Sequence, residues 1–119
     1  MNSKAIAQSM GLEEDEFLEV LAIFVEVSAS DLLNIEAGIK DDDAKSVSDG
    51  AHSIKGAALN LGLTDISEIA RGVEMRAREE NLQGIFEASN AIREKLEAIV
   101  ERHPDTVKDI KPKPARRNF

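Results

Sequence analysis

Residues 44–62 read AKSVSDGAHSIKGAALNLG, and this stretch decides the fold. Its apolar side chains recur at intervals of four, three, four and three residues: Val47, Ala51, Ile54, Ala58 and Leu61. Such a spacing puts all of them on one face of an α-helix, which predicts a helix over about 44–61 with a buried stripe. We expect this helix to end at Gly62, because glycine readily adopts the backbone conformation found just beyond a helix C-terminus.

The same periodicity predicts further helices on either side of this one. We expect them over Lys4–Ser9, from Glu13 to about Gly38, from just after Thr64 or Asp65 to about Asn81, and from about Leu82 to Arg102. Asp65 followed by Glu68 resembles a capping box, and Pro104 stops the last helix. Since three of the connections are short, neighbouring helices should run antiparallel. The predicted fold is all-α, an antiparallel up-down four-helix bundle with a short extra N-terminal helix.

Length and composition favour one helical domain. The chain has 119 residues, and aromatic residues make up only 3% of it, with no Trp and no Tyr. The core must therefore be aliphatic apart from four Phe, whereas a β-sandwich normally draws on more aromatic residues. We expect the bundle to occupy residues 1–103. Within it, residues 20–27 are apolar nearly all round, which indicates either deep burial or a surface offered to a partner.

Charge and cysteine content exclude several classes of function. A formal net charge of −8 argues against nucleic acid as a partner, because a phosphate backbone needs a basic surface. Residues 104–119 carry +3, which leaves −11 on the rest, so we expect a basic, Pro-containing flexible tail that is either merely solvated or an interaction arm. The sequence has no membrane-spanning stretch and no signal-peptide pattern, so a cytoplasmic protein without a membrane partner is expected. The absence of Cys excludes disulfides and thiolate zinc sites.

One residue of the third helix is a candidate for chemistry. At about 100° per residue, His52 lies roughly 140° from the centre of the buried stripe and should face water. Gly56 and Leu59 share its side, and Lys55 lies between His52 and the core. Glycine inside a helix costs about 1 kcal/mol relative to alanine, so Gly56 indicates close approach of another macromolecule. A neutral imidazole nitrogen can attack a phosphoryl group near neutral pH, with the Lys55 ammonium balancing the added charge.

Glu74 is predicted to stand beside His52 by the symmetry of a helical hairpin. With the turn between the third and fourth helices centred on Leu63, His52 lies 11 residues before it and Glu74 lies 11 residues after it. These positions are level in an antiparallel pair, so Glu74 could accept a hydrogen bond from one ring nitrogen and leave the other free to attack. The alternative is an ordinary solvated glutamate.

A family resemblance is carried by the same residues. Ala51–Gly62 resembles the signature of histidine-containing phosphotransfer (HPt) domains, in which Ala-His-x-(Ile or Leu)-Lys-Gly is followed by small residues and a later glycine. Val73-Glu74-x-x-x-Arg78 is similar to a stretch on that family's next helix. The resemblance covers about 15–100, and it implies that His52 is the phospho-acceptor with Lys55 and Gly56 in supporting roles.

The resemblance also implies a function and its partners. It implies a phosphorelay intermediate in two-component signalling, which takes a phosphoryl group from the phospho-aspartate of a receiver domain or from a hybrid histidine kinase and passes it to another receiver. The sequence has no glycine-rich nucleotide loop, so we expect a phosphocarrier rather than an enzyme, without a cofactor, and any Mg²⁺ would belong to the partner. Two alternatives remain open: the phosphoacceptor domain of a chemotaxis-type histidine kinase, and a helical adaptor that binds receivers without phosphotransfer. We expect a monomer.

The docking surface for such partners is expected around His52. Its predicted members are Ser48, Lys55, Gly56, Leu59 and Leu63, joined by apolar positions within 20–27. A metal site is not expected, because His52 and His103 fall on different helices and the acidic run 41–43 lacks the spacing of a calcium loop. We assign no chemical role to His103.

Overall fold

The computed structural model describes residues 3–103 of the chain. The predicted basic tail at 104–119 lies outside the described residues, so the boundary between bundle and tail stays a prediction.

Within residues 3–103 the chain forms five helices and no strand: α1 (Ser3–Ser9), α2 (Glu14–Lys40), α3 (Ala44–Asn60), α4 (Thr64–Arg78) and α5 (Ile85–Arg102). The four longer helices close a ring, in which α2 packs against α3, α3 against α4, α4 against α5 and α5 against α2. Their connections are short, so successive helices run antiparallel. α1 packs against α2. The predicted all-α bundle with an extra N-terminal helix is confirmed.

Both ends of α3 are set by local signals, of which only Gly62 was predicted. Asp43 is the N-cap, and its carboxylate accepts a hydrogen bond from the backbone N–H of Ser46 at 3.2 Å. Gly62 has a φ of 74°, the left-handed conformation expected just beyond the last turn. These two signals set the length of the helix that carries His52.

The start of α4 corrects the predicted capping box. The N-cap is Leu63, which forms no side-chain capping hydrogen bond, and Asp65 lies inside the first turn. Its carboxylate accepts a hydrogen bond from the N–H of Ile66 and pairs with Lys95 of α5 at 3.0 Å. Asp65 therefore connects two helices instead of starting one.

The connection between α4 and α5 is longer than predicted. Residues 79–84 separate the two helices, and within them Glu80 and Gly84 have φ values of 60° and 81°. A left-handed residue cannot continue an α-helix, so α4 ends at Arg78 instead of Asn81 and α5 begins at Ile85 instead of Leu82.

The core is a single aliphatic cluster with two aromatic members, Phe17 and Phe24. The whole predicted stripe of α3 is buried in it: Val47, Ala51, Ile54, Ala58 and Leu61. Each large apolar side chain buried in this way stabilises the fold by roughly 1.5–3 kcal/mol. None of the helices described within residues 3–103 is both long enough and apolar enough to cross a bilayer.

The apolar segment 20–27 of α2 is partly buried and partly exposed, so each of the two predicted alternatives holds for some of its residues. Three of its side chains are buried: Leu21, Phe24 and Val25. Three others form an exposed apolar stripe of α2, with exposed fractions of 39%, 60% and 46%: Val20, Ile23 and Val27. The segment thus contributes to the core and also presents an apolar surface on the outside of the bundle.

Candidate functional site

His52 lies on the outer face of α3, as predicted. Its side chain is 64% exposed, while its neighbour Ala51 is fully buried. The Nδ1 atom of His52 lies 2.9 Å from Oε2 of Glu74 on α4. The histidine is thus open to a macromolecular partner on one side and held by a neighbouring helix on the other.

Glu74 is a buried acid, so the alternative of an ordinary solvated glutamate is wrong. Only 2% of its side chain is exposed. Besides His52, its carboxylate contacts Nζ of Lys55 at 2.8 Å and Nη2 of Arg78 at 2.7 Å. A buried carboxylate needs such partners, because the loss of hydration is costly unless charge and hydrogen bonds compensate for it.

Arg78 is the member of this group to which our sequence analysis assigned no role. It was noted only within the stretch that resembles a family motif. A signal was nevertheless present, because Glu74 and Arg78 are four residues apart on one helix, a spacing at which opposite charges meet. Its side chain is 66% exposed, so the guanidinium lies at the surface beside His52.

The ionisation state of Glu74 determines which nitrogen of His52 can react. Burial raises the pKa of Glu74, but hydrogen bonds from Lys55 and His52 and the charges of Lys55 and Arg78 outweigh it, so the net pKa lies below its ordinary value. Glu74 is therefore ionised at neutral pH and can only accept hydrogen bonds. Nδ1 of His52 must then donate its hydrogen to Glu74, which leaves the lone pair of a neutral ring on Nε2.

Most of the predicted docking positions are at least partly exposed, while their role in docking stays a prediction. A Cβ added at Gly56 would meet no atom of another part of the chain within 4 Å, so the surface below His52 is open there. Leu59 is 60% exposed, and Ser48 is half-buried. Lys55 is 28% exposed, consistent with a stem packed along the helix and a charged head on Glu74.

Leu63 does not belong to this surface, which corrects the prediction. Its side chain is only 8% exposed and is part of the core cluster. Together with Ile6 and Ile99 it lines a cavity of about 350 Å³ that His52 does not border. Helix α3 ends at Asn60, and Leu63 is the N-cap of α4, where the chain turns back and the side chain enters the core.

A second polar contact lies on the other flank of α3 and was not predicted. The hydroxyl of Ser53 donates a hydrogen bond of 2.6 Å to the carboxylate of Asp31 on α2. Burial raises the pKa of Asp31, and the hydrogen bond from Ser53 offsets part of that effect. Consecutive residues of α3, His52 and Ser53, are thus each held by an acid from a different neighbouring helix.

The remaining candidate residues, His103 and the acidic run 41–43, lie at the ends of helices. No group of three or more His, Asp or Glu side chains within residues 3–103 is placed to hold a metal ion. His103 follows the last residue of α5, and its backbone N–H donates to the carbonyl of Ile99. Asp41 and Asp42 are exposed in the turn before α3, where Asp43 caps the helix.

Comparison with known proteins identifies the family. A model of the Hpt domain matches residues 19–102, which include His52, Lys55, Gly56, Glu74 and Arg78. No curated protein and no solved structure matches the chain. The family match covers most of the chain, and the chain belongs to the Hpt domain family, whose members are phosphocarrier modules that act by histidine phosphotransfer in phosphorelay signalling.

Proposed function

We propose that His52 accepts a phosphoryl group from the phospho-aspartate of one receiver domain and passes it to the aspartate of another. The observation that carries this proposal is the contact between Nδ1 of His52 and the buried carboxylate of Glu74. It supports an exposed imidazole held in one tautomer, with the nucleophilic lone pair on Nε2.

The transfer needs no proton movement on the ring. The Nε2 lone pair attacks phosphorus, the bond between phosphorus and the aspartyl oxygen breaks, and the carboxylate leaves with the electron pair. The phosphorylated ring keeps its hydrogen on Nδ1 and carries a positive charge, which the Glu74 carboxylate faces at 2.9 Å. In the return step an aspartate oxygen of the acceptor attacks phosphorus, the P–N bond breaks, and its electron pair returns to Nε2.

Two cationic side chains can balance the negative charge of the phosphoryl oxygens. Lys55 and Arg78 both contact Glu74, and the Arg78 guanidinium is largely exposed. Either head group can turn from Glu74 towards a phosphoryl group on Nε2 without unpacking the core, because the long side chains end at the surface. Positive charge placed where the transferred group carries negative charge stabilises the transition state.

The surface around His52 supports docking of a folded partner. On α3 it comprises Ser48, Gly56 and Leu59. We infer that it extends onto the apolar stripe of α2, because Val27 lies one turn before Asp31, whose carboxylate contacts Ser53 next to His52. An apolar patch beside polar and charged groups is the ordinary composition of a transient protein interface. Because Gly56 lacks a side chain, the partner can bring its phospho-aspartate close to Nε2.

The test compares wild type with His52→Gln and with the matched control His103→Gln. Each protein is incubated with radiolabelled phospho-receivers, with an ATP-loaded histidine kinase domain, and with phosphoramidate as a small donor. We expect an acid-labile, base-stable label on wild type and on His103→Gln from a receiver, and none on His52→Gln.

Other labelling patterns would favour the alternatives. Label obtained only from the ATP-loaded kinase domain would support a phosphoacceptor domain of a chemotaxis-type kinase. A protein that binds receivers but takes no label from any donor would be an adaptor, and the proposal would be wrong.

A further inference from the structure

The surface around His52 is electrically asymmetric. On the α4 side lie two cations that contact Glu74, Lys55 and Arg78. On the α2 side lies the carboxylate of Asp31, bonded to the hydroxyl of Ser53. A partner that covers His52 therefore meets positive charge along one edge and negative charge along the other.

Asp31 differs from the half-buried Glu36 and the buried Glu74 because it has no cationic partner. Among residues 3–103, Glu36 pairs with Arg93 and Glu74 pairs with Lys55 and Arg78, whereas no Lys or Arg forms an ion pair with Asp31. Burial also raises its pKa, which is the mark of a carboxylate short of compensating charge.

The position of Asp31 places it in the path of a docked partner. Ser53, which donates to Asp31, directly follows His52 on α3. Val27, one turn before Asp31 on α2, is 46% exposed and belongs to the apolar stripe. A partner that rests on this stripe and reaches His52 must therefore cover Asp31.

We propose that Asp31, held in place by Ser53, determines partner specificity by binding a Lys or Arg side chain of the docked receiver domain. This inference rests on the proposed function. Docking removes the remaining water from Asp31, which is costly for a lone carboxylate and favourable when a cation replaces the water. A receiver with an acidic or apolar group at that place is disfavoured, and such rejection is how interfaces discriminate between similar partners.

The asymmetry also fixes how the partner is oriented. The phosphoryl group on the aspartate of a receiver is negatively charged and is attracted to the α4 side, where the cations are. Its cationic side chain must then lie over Asp31 on the α2 side. The reversed orientation would bring like charges together on both edges, so a receiver should dock in one way only.

The test uses two variants of Asp31 and a matched control on the same helix. Asp31→Asn keeps a hydrogen-bond acceptor for Ser53 and removes the charge, and Asp31→Lys reverses the charge. Glu26→Lys makes the same change in net charge at an exposed position about 140° further round α2, away from α3. Each protein is assayed for label transfer from the phospho-receiver that labels wild type fastest, and separately for labelling by phosphoramidate.

We expect the second-order transfer rate from the receiver to fall about tenfold in Asp31→Lys and several-fold in Asp31→Asn. Glu26→Lys should change it by less than about twofold once long-range attraction is screened at about 0.5 M salt. Labelling by phosphoramidate should be equal in all four proteins, because this small donor makes no contact with Asp31.

Three outcomes would overturn the inference. Equal transfer rates in Asp31→Lys and Glu26→Lys would mean that Asp31 makes no local contact. Slow labelling of Asp31→Lys by phosphoramidate would mean that Asp31 acts on His52 and not on the partner. A wild type labelled by no receiver would remove the proposed function as well, and this arm separates the two failures.

Discussion

Four glycines lie within the helices, and substitution by alanine should raise the free energy of unfolding at two of them and lower it at the other two. At Gly56 of α3 and Gly72 of α4, an added Cβ would meet no atom within 4 Å. Alanine is favoured over glycine in a helix interior by about 1 kcal/mol. Gly56→Ala and Gly72→Ala should therefore each raise the free energy of unfolding by about 1 kcal/mol, which raises Tm by roughly 5 °C for a domain of this size.

Gly38 and Gly50 should respond in the other direction, because α2 and α3 approach each other there. A Cβ at Gly38 would lie 2.8 Å from Cγ2 of Val47 and 3.0 Å from a backbone oxygen. A Cβ at Gly50 would lie 2.8 Å from Cγ1 of Ile35 and 3.1 Å from a backbone oxygen. Backbone cannot move as a flexible side chain does, so overpacking of about 1–3 kcal/mol outweighs the gain in helix propensity.

Urea unfolding followed by circular dichroism measures all four variants, since the chain has no Trp or Tyr for fluorescence. The same proteins are then assayed for phosphotransfer from a receiver. Gly56→Ala, and more strongly Gly56→Glu, should slow transfer, whereas Gly72→Ala should not, because Gly72 lies on another helix away from His52. A destabilised Gly56→Ala would contradict the open surface, and unchanged transfer in Gly56→Glu would refute close approach of the partner.

Three further predictions concern buried polar groups. Glu74→Gln should slow labelling of His52 by phosphoramidate about tenfold or more. The pKa of Glu74 is held below the ordinary value of a glutamate, so its ionised form stabilises the folded state. Wild type should therefore lose stability relative to this variant as the pH falls through the acid range, which urea unfolding between pH 7 and 3 measures. Ser28→Ala should raise the free energy of unfolding by about 1 kcal/mol, because the buried Ser28 hydroxyl has no partner among the described residues; an unfolding curve that shows a loss would contradict this. Arg93→Met should cost about 1–2 kcal/mol by leaving Glu36, only 26% exposed, without its cation, whereas Lys45→Met at an exposed pair should have no measurable effect on the unfolding curve.

The exposure of His52 was predictable because it depends only on local geometry. A stripe with helical spacing fixes which side of α3 is buried, and His52 lies far from that stripe on any helix of ordinary pitch. The burial of Glu74 was not predictable in this way. It depends on how closely α3 and α4 pack and on whether Lys55 and Arg78 reach the carboxylate, and these are properties of two helices together.

The errors fall where a helix ends. Leu63 was predicted to lie on the docking surface, but the chain turns after Asn60 and its side chain enters the core. Asp65 was predicted to cap α4, yet the N-cap is Leu63, two residues earlier, and Asp65 pairs with Lys95 instead. Boundaries are decided by competition between neighbouring turn residues, and one position is enough to change what a side chain contacts.

The hairpin argument that located Glu74 applies equally to the other side of α3. Asp31 and Ser53 lie 11 residues on either side of Asp42, in the turn between α2 and α3, just as His52 and Glu74 flank Leu63. Both hydrogen-bonded pairs are therefore 22 residues apart in the sequence. Because His52 and Ser53 are consecutive, the two pairs are level with each other, one on each flank of α3. Each acid can be changed without touching the other, so the chemistry of the ring at Glu74 and the choice of partner at Asp31 can be measured as separate properties of one surface.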